Sequence, residues 1–343
     1  MRIMITGGCG FIGCNAAARF LSMGHDVTVF DNLSRAGSRA NLEWLGSLAA
    51  FTFVLGDVRD SKALLDIVAK GNFDVILHLA AQVAVTTSVT DPRTDCEINI
   101  LGTINVLESV RTASPATIVL NASTNKVYGK LADVPLTATA TGYVCPSLPL
   151  GVPETQPLEF YSPYGCSKGA GDQYTIDYSR IYGIRTATFR QSCIYGYRQF
   201  GVEDQGWVAW FTIAHVLERP ITIYGDGKQV RDILFVDDLI DLYLRAIEAV
   251  DRMPGQAFNV GGGVSNAISL LEFLNLLGEI SGRPVQFHYG DWRPGDQLYY
   301  VSDIRKSTAG LGWCPRIDAR EGIVRLYDWV KSNANLLART AGQ

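Results

Sequence analysis

The fold is decided by the stretch Ile3-Met-Ile-Thr-Gly-Gly-Cys-Gly-Phe-Ile-Gly13. An apolar run leads directly into glycines at positions 7, 10 and 13, and the helical pattern Asn15–Leu21 follows. Glycines allow a tight turn and a close approach of the backbone to a pyrophosphate, and the first turn of a helix offers unpaired N–H groups. The position of these glycines between strand and helix predicts a dinucleotide site, although a simple tight turn would need the same residues.

Further strand patterns follow at regular intervals, with helical stretches between them. The six runs are Ile3–Thr6, Asp26–Phe30, Phe51–Leu55, Asp74–His78, Thr117–Asn121 and Arg185–Phe189. This alternation is typical of a parallel sheet that is covered by helices on both faces. We therefore predict an α/β fold with a doubly wound parallel sheet, the Rossmann arrangement, and assign residues 1–190 to an NAD-binding domain.

The pattern changes from about residue 191 to turns rich in aromatic residues, and helical patterns return at Val236–Val250 and Ile268–Ile280. We predict a smaller α+β substrate-binding lobe that comprises mainly residues 191–343. Ligand sites commonly lie between such lobes, so we expect the cleft there. Because no linker rich in proline or serine separates the halves, we expect them to exchange chain segments.

Composition excludes several classes of protein. The 343 residues are 47% hydrophobic and 19% charged, which is typical of a packed globular enzyme. The net charge of −4 argues against a nucleic-acid partner. The seven scattered cysteines form no CxxC pair, so we expect free thiols and no metal site. The sequence shows neither a secretory pattern nor an 18-residue apolar run, which favours a cytoplasmic protein without a membrane partner.

Asp31 predicts which dinucleotide is bound. It ends the second strand pattern, where an acidic side chain can accept hydrogen bonds from the adenosine ribose hydroxyls. A carboxylate there repels a 2′-phosphate, so NAD is favoured over NADP. Arg35 lies close enough to weaken this preference, and an Asp31-Asn32 turn cap is the alternative interpretation.

Tyr164 and Lys168 are four residues apart, which on a helix places them on one face. The segment Asn121–Gly129, which contains Thr124, leaves the fifth strand earlier in the sequence. A phenol has a reference pKa of about 10, so its use as a base near pH 7 needs ~4 kcal/mol of preference for phenolate. A lysine and an oxidised nicotinamide can supply it. We therefore predict that Tyr164 is the base, Thr124 binds the same substrate oxygen, and Lys168 tunes the base and holds the nicotinamide ribose.

These residues carry a resemblance to a known family. The glycine turn, Asp31-Asn32, Asn99 in Asn-Ile-Leu-Gly-Thr103, and the Tyr164/Lys168 pair resemble the extended short-chain dehydrogenases/reductases that remodel nucleotide sugars. Longer strings resemble the subfamily of CDP-hexose 2-epimerases, and the likeness covers nearly the whole chain. Those strings are Ser123-Thr-Asn-Lys-Val-Tyr-Gly129, Ser162-Pro-Tyr-Gly-Cys-Ser-Lys-Gly169, Arg198-Gln-Phe200 and Asp204-Gln-Gly-Trp207.

The resemblance implies an enzyme that epimerises a CDP-hexose at carbon 2, through a transient 2-keto intermediate and with tightly bound NAD. CDP-paratose, CDP-tyvelose or a related CDP-hexose is the implied substrate, and a homo-oligomer, dimer or tetramer, is the implied assembly. Sugar 4,6-dehydratases of the family carry two acids directly after the threonine, whereas Asn125 and Lys126 stand here. A nucleotide-sugar 4-epimerase, a 4,6-dehydratase and a non-catalytic dinucleotide sensor remain as alternatives.

The predicted contacts fall into two groups. Cofactor contacts are Gly7, Gly10, Phe11, Ile12, Gly13, Asp31, Asn32, Ser34, Arg35, Asp57, Val58, Leu79, Ala80, Ala81, Gln82, Asn99, Ser123, Tyr164 and Lys168. Substrate contacts are Thr124, Asn125, Gln199, Gln205, Trp207, Arg231 and Arg293. The guanidinium groups of Arg231 and Arg293 suit a diphosphate, and the resemblance implies that role. Surface salt bridges for these arginines, and a core position for Trp207, remain alternative interpretations.

Overall fold

A computed structural model describes residues 1–293 and 296–340. The strands are β1 (Arg2–Thr6), β2 (Asp26–Asp31), β3 (Thr52–Leu55), β4 (Val75–His78), β5 (Ile118–Thr124), β6 (Thr137–Ala138), β7 (Tyr143–Val144), β8 (Thr186–Gln191), β9 (Cys193–Tyr195), β10 (Thr222–Tyr224), β11 (Val230–Phe235), β12 (Gln256–Val260), β13 (Ala267–Ser269), β14 (His288–Gly290) and β15 (Tyr299–Tyr300).

The helices alternate with these strands. They are α1 (Phe11–Ser22), α2 (Ser38–Leu48), α3 (Ser61–Gly71), α4 (Val85–Thr90), α5 (Pro92–Cys96), α6 (Gly102–Ala113), α7 (Ser162–Tyr182), α8 (Trp207–Val216), α9 (Val236–Ala249), α10 (Leu270–Ser281), α11 (Arg305–Leu311), α12 (Ala319–Ser332) and α13 (Ala334–Thr340). A π-helical turn spans Glu97–Leu101, and 3₁₀ turns span Asn125–Tyr128, Val250–Arg252 and Val264–Asn266.

The central sheet has seven strands in the order β12-β8-β5-β4-β1-β2-β3. Every neighbouring pair in it is parallel. Its strands are rich in apolar residues because both faces are buried, as β1 illustrates: Ile3 and Ile5 enter one core cluster, while Met4 enters the other. The predicted doubly wound parallel sheet is confirmed, and the six predicted runs correspond to β1–β5 and β8.

Two layers of helices cover the sheet. Phe20 of α1, Leu45 of α2 and Leu239 of α9 pack in the core cluster of one face. Leu64 of α3 and Val106 of α6 pack in the cluster of the other face, and Tyr178 of α7 joins them. The helix predicted at Ile268–Ile280 starts later than expected, because α10 begins at Leu270. The reason is that Ile268 lies in strand β13, and the Ser269 hydroxyl caps the helix by accepting from Glu272 N at 3.1 Å.

The C-terminal part of the chain builds a second, smaller sheet and also returns to the first. β11 pairs with β9 and β15 in parallel and with β13 in antiparallel orientation. β12 leaves this region and pairs along its full length with β8, from Gln256↔Ala187 to Val260↔Gln191. The central sheet therefore contains a strand from beyond residue 190.

A buried ion pair fastens α7 to the sheet. Arg190 of β8 donates to both carboxylate oxygens of Asp172 on α7, from Nε at 3.1 Å and Nη2 at 3.0 Å. Its Nη1 donates at 3.0 Å to Tyr128 Oη, in the turn that follows β5. Asp172 is fully buried and Arg190 is 4% exposed, so this pair fixes the position of α7 relative to both strands.

Three properties concern the described part of the chain as a whole. Within residues 1–293 and 296–340, no helix is long and apolar enough to cross a membrane. The same residues contain no cluster of three or more His, Cys, Asp or Glu that could hold a metal ion. All seven cysteines are free thiols, and Cys9, Cys14 and Cys145 are buried.

Candidate active site

A cleft opens at the carboxyl ends of the central strands. β1 lies between β4 and β2, so the chain runs from β1 outward to β2 and β3 on one side and later to β4 and β5 on the other. The point where the strand order reverses leaves a crevice at the carboxyl ends of the strands. The cleft is lined by Gly7, Gly10, Phe11, Ile12, Gly13, Phe30, Asp31, Asn32, Ser34, Arg35, Ala36, Asn41, Gly56, Asp57, Val58, Leu79, Ala80, Ala81, Val83, Ile98, Ala122, Ser123, Tyr164, Lys168, Gln191, Arg198, Gln199, Phe200 and Gln205.

The glycine turn forms one wall, and its glycines are required by close backbone approaches. Gly7 has φ +68°, and a Cβ there would lie 2.7 Å from Ala80 N. A Cβ on Gly13 would lie 2.3 Å from Gly7 O. α1 begins at Phe11, and its N-cap Gly10 provides no side-chain hydrogen bond. The N–H groups of the first turn are therefore available to an anionic ligand.

Asp31 lies beside this turn at the end of β2. Its Oδ2 accepts from Cys9 N at 2.9 Å and its Oδ1 from Leu33 N at 2.7 Å. Burial raises the pKa of Asp31, and the backbone N–H donors oppose that rise. Each carboxylate oxygen still has a lone pair for a ribose hydroxyl. Across the cleft, Arg35 Nη2 donates to Gln205 Oε1 at 2.8 Å, which joins segments from both parts of the chain.

These features fit a dinucleotide. The Ser123 hydroxyl lines the cleft, is buried, and has no hydrogen-bond partner among the described residues. A buried hydroxyl without a partner is costly, so a ligand with a polar group at this point would stabilise the site. The helix N-terminus suits a pyrophosphate, Asp31 suits a ribose, and Ala80 and Ala81 line the cleft with small side chains.

Tyr164 and Lys168 line the inner end of the cleft, and Thr124, which is outside the described lining, lies next to Tyr164. Thr124 ends β5, and its hydroxyl is close enough to the phenol of Tyr164, near the start of α7, to lower the pKa of that phenol. One turn later on α7, Lys168 Nζ donates to Ala122 O at 2.6 Å. Burial raises the pKa of Tyr164 to about 12 and lowers the pKa of Lys168 to about 8. At neutral pH the pair is therefore a phenol beside an ammonium.

The raised pKa of Tyr164 limits when it can act. A phenolate at pH 7 against a pKa of about 12 would cost about 7 kcal/mol. The Thr124 hydroxyl already favours the phenolate, and a cationic ring bound in the cleft would favour it further. Burial therefore opposes the phenolate, whereas Thr124 and a cationic ring in the cleft favour it.

Two predicted cofactor contacts, Gln82 and Asn99, are not among the described residues that line the cleft, and they lie behind it. Asn99 Nδ2 donates to Gln82 O at 3.0 Å, to Asp95 Oδ1 at 3.1 Å and to Ser167 Oγ at 3.1 Å. Asn99 lies in the π-helical turn and Ser167 on α7. In this structure they support the loop after β4 and the helix that carries Tyr164.

The predicted substrate residues are distributed over a wider region. Gln199 and Gln205 line the cleft with the cofactor residues. Asn125 is buried next to Thr124, and its Nδ2 lies 3.5 Å from Gln297 Oε1. Trp207 is outside the described lining. Its Nε1 donates to Cys193 Sγ at 3.3 Å, and its ring packs edge-on against Phe273.

Both predicted phosphate-binding arginines are engaged with carboxylates. Arg231 is 7% exposed, and its Nη2 contacts Asp296 Oδ1 at 3.0 Å. Arg293 Nη2 contacts Asp204 Oδ1 at 3.1 Å, and its guanidinium lies 3.9 Å from the centre of the Tyr224 ring. Neither lines the cleft that holds the glycine turn. A diphosphate would have to share or replace these carboxylate contacts.

Sequence reasoning missed several lining residues. They are Phe30, Ala36, Asn41, Gly56, Val83, Ile98, Ala122, Gln191, Arg198 and Phe200. Gln191 could have been found, because it ends β8 at the same sheet edge as Thr124, its register partner in β5. Asn41 carries no such signal: it comes from α2, where its Nδ2 donates to Cys9 O at 3.0 Å.

Comparison with known proteins gives the family. The model of the NAD dependent epimerase/dehydratase family matches residues 3–261. The chain belongs to this family. CDP-paratose 2-epimerase of Salmonella typhi, which is similar to it, is 46% identical over 337 residues, 97% of this chain and 100% of that protein. The predicted family resemblance and the enzymatic nature of the chain are confirmed.

Two solved structures extend the comparison within the NAD dependent epimerase/dehydratase family. UDP-glucose 4-epimerase from Thermotoga maritima, solved with UDP-glucose, is 28% identical with a TM-score of 0.83, covering 97% of this chain and 99% of that one. The dTDP-glucose 4,6-dehydratase of Streptomyces venezuelae, solved with NAD, is 27% identical with a TM-score of 0.84, covering 99% and 100%. NAD is therefore the cofactor, as predicted.

We expect the protein to purify with NAD(H) already bound. The cleft offers a helix N-terminus, Asp31 and Ser123 to one ligand, so NAD should be retained. An enzyme that reoxidises its own cofactor in each cycle also has no need to release it. Denaturing the purified protein and chromatographing the extract measures the bound dinucleotide. An empty site together with a strict need for added NADP would contradict both the retention and the role of Asp31.

Proposed function

We propose that the protein interconverts the two configurations at carbon 2 of a CDP-activated hexose: CDP-paratose and CDP-tyvelose, or a related CDP-hexose. The observation that carries this proposal is the 46% identity with CDP-paratose 2-epimerase of Salmonella typhi over the full length of that protein. For comparison, UDP-glucose 4-epimerase of Mycolicibacterium smegmatis is 33% identical to this chain.

The proposed roles follow from the contacts at the inner end of the cleft. When bound, NAD supplies the oxidation of a secondary alcohol and the reduction of the resulting ketone. Tyr164 Oη takes the proton of the carbon 2 hydroxyl and later returns it. The Thr124 hydroxyl holds the same oxygen, which its contact with Tyr164 supports. The Lys168 ammonium favours the phenolate and holds the nicotinamide ribose.

A dehydratase is the main alternative, since dTDP-glucose 4,6-dehydratases are also similar to this chain, at 32% identity for that of Xanthomonas campestris. Elimination of water needs an acid and a base at further carbons. The two positions after Thr124 carry an amide, Asn125, and an ammonium, Lys126. Neither side chain can serve as a carboxylate acid or base at a second carbon. They therefore favour epimerisation, which oxidises and reduces a single carbon, over dehydration.

The proposal also covers the domains, the oligomeric state and the cellular location of the protein. Residues 1–190 form the NAD-binding domain with the catalytic residues, and residues 191–343 mainly bind the nucleotide sugar, with Arg231 and Arg293 on its phosphates. Gln82 and Asn99 act on the cofactor by supporting the loop that contacts it. The enzyme works as a homo-oligomer, dimer or tetramer, in the cytoplasm, with neither nucleic acid nor membrane as partner.

The reaction centre is tested with isotope at carbon 2. A CDP-hexose deuterated there should give a 2-epimer that still carries the deuterium, because the hydrogen leaves and returns within one binding event. Reaction in heavy water should introduce no deuterium at that carbon. Mass spectrometry and proton NMR of both epimers measure the label, and Tyr164→Phe serves as the control for non-enzymatic exchange.

Two results would contradict the proposal in different ways. Wash-in of solvent deuterium at carbon 2 would indicate enolisation or elimination and remove the oxidation–reduction mechanism. Inversion only at carbon 4 would leave that mechanism intact and refute the 2-epimerase assignment.

A further inference from the structure

Lys126 lies next to the reacting centre but has no role in the mechanism above. It follows Thr124 by two residues, in the 3₁₀ turn Asn125–Tyr128, and its backbone N–H donates to Thr124 Oγ1 at 3.3 Å. Its Nζ donates to Gln297 Oε1 at 3.0 Å. Gln297 is 1% exposed and its Nε2 donates to Gly129 O, so the acceptor of the lysine is fixed.

The charge of Lys126 has no counter-ion in the described part of the chain. Across residues 1–293 and 296–340, no carboxylate oxygen lies within 4.0 Å of Lys126 Nζ. Asp296 attracts the ammonium from a greater distance, but this carboxylate is already paired with Arg231 at 3.0 Å. Burial and the positive charge of Arg231 lower the pKa of Lys126 to about 8. A confined ammonium without a counter-charge is costly, so a ligand that accepts hydrogen bonds would stabilise it.

An ammonium has three donors, and the amide of Gln297 accepts one of them. Lys126 keeps some solvent-exposed surface, whereas its neighbours Asn125 and Val127 are buried. The donors of Nζ that Gln297 does not accept are therefore available to a bound molecule. The neutral amides around it, from Asn125 and Gln297, suit hydroxyl or carbonyl oxygens.

The position indicates which half of the substrate Lys126 meets. Thr124 marks the carbon that reacts, and the main chain of Lys126 is hydrogen-bonded to that threonine. Arg231, one of the arginines proposed for the phosphates, donates to Gln297 O at 2.6 Å, while Lys126 donates to the side chain of the same glutamine. Lys126 therefore connects the surroundings of that arginine to Thr124. We propose that Lys126 binds the hexose half of the substrate, an inference that rests on the proposed CDP-hexose epimerisation.

The experiment compares Lys126→Met with Lys62→Met, a control at an exposed lysine on α3. Both are made in the full chain with its bound NAD. The measurements are KM and kcat for the CDP-hexose, the inhibition constant of CDP, which lacks the sugar, the NAD content and the Tm. Loss of a charge-assisted hydrogen bond predicts a KM increase of about 10- to 100-fold in Lys126→Met. The inhibition constant of CDP, the NAD content and the Tm should stay at wild-type values.

Each other outcome overturns the inference for a stated reason. An unchanged KM in Lys126→Met would show that the ammonium does not touch the substrate. An inhibition constant of CDP that rises as much as KM would assign Lys126 to the nucleotide or its phosphates. A loss of NAD or a large fall in Tm would show a structural role. No turnover of any CDP-hexose by the wild-type protein would overturn the proposed function and this inference together.

Discussion

Tyr164→Phe should lower kcat about 100- to 10,000-fold while the protein keeps its fold and its NAD. Only the phenolic oxygen is removed, and the ring stays in its buried position near the start of α7. The backbone N–H of residue 164 still donates to Ser88 Oγ, at 3.1 Å in the wild-type protein. Turnover of the CDP-hexose, NAD content and Tm are the measurements.

The matched control for this change is Tyr178→Phe. Tyr178 lies on the same helix, is 8% exposed, and donates from Oη to Glu108 Oε1 at 2.7 Å, away from the cleft. Its loss should cost about 1 kcal/mol of stability and leave turnover unchanged. Near-normal activity in Tyr164→Phe would mean that the base is elsewhere, and an equal loss in Tyr178→Phe would mean that α7 tolerates no such change.

Gly13→Ala should remove most of the bound NAD. The new Cβ would lie 2.3 Å from Gly7 O and 2.6 Å from Gly8 Cα, so the turn must move away from α1. That movement disturbs the N–H groups that face the pyrophosphate and the contact of Cys9 with Asp31. Overpacking of this kind typically costs about 1–3 kcal/mol, so we expect NAD affinity to fall roughly 10- to 100-fold. Equilibrium binding of NAD to protein stripped of its cofactor measures this.

Gly46→Ala is the control for the added methyl group. Gly46 lies within α2, and a Cβ there would meet nothing within 4 Å. Alanine is the better helix former by about 1 kcal/mol, so the Tm should rise slightly while NAD binding stays the same. If Gly13→Ala kept full NAD affinity, the glycine turn would not be the pyrophosphate site.

The parts of the structure that were predictable are those with a local signal. Strands β1, β2, β4, β5 and β8 are buried on both faces, so they appear in the sequence as apolar runs. The edge strand β3 is only partly buried, through Phe53 and Val54, but it carries the same apolar signal. β9 and β13–β15 are two or three residues long, and β15 consists only of Tyr299 and Tyr300. Strands this short take their conformation from the partner strand, which local sequence does not reveal.

The same distinction applies to the site. The glycine turn and the Tyr164/Lys168 pair are compact motifs, and the structure brings them to one cleft. Lys126 and Gln297 are 171 residues apart in sequence, and their contact depends on how the C-terminal part folds back. The Arg231–Asp296 pair likewise depends on tertiary packing, so the sequence left salt bridges as one of two interpretations for Arg231 and Arg293, and the structure shows which carboxylates pair with them.

β12 is synthesised well after its partner strand β8, and this delay affects folding during translation. β8 ends at Gln191, and its outer partner does not begin until Gln256. At about 5–20 residues per second, a ribosome needs several seconds to synthesise the intervening chain. During that time β8 is the open edge of a nearly complete sheet, with hydrogen-bonding groups that could pair with another nascent chain. Synthesis that pauses between these strands should therefore favour aggregation, and chaperone binding to the nascent chain should be strongest before residue 256 emerges.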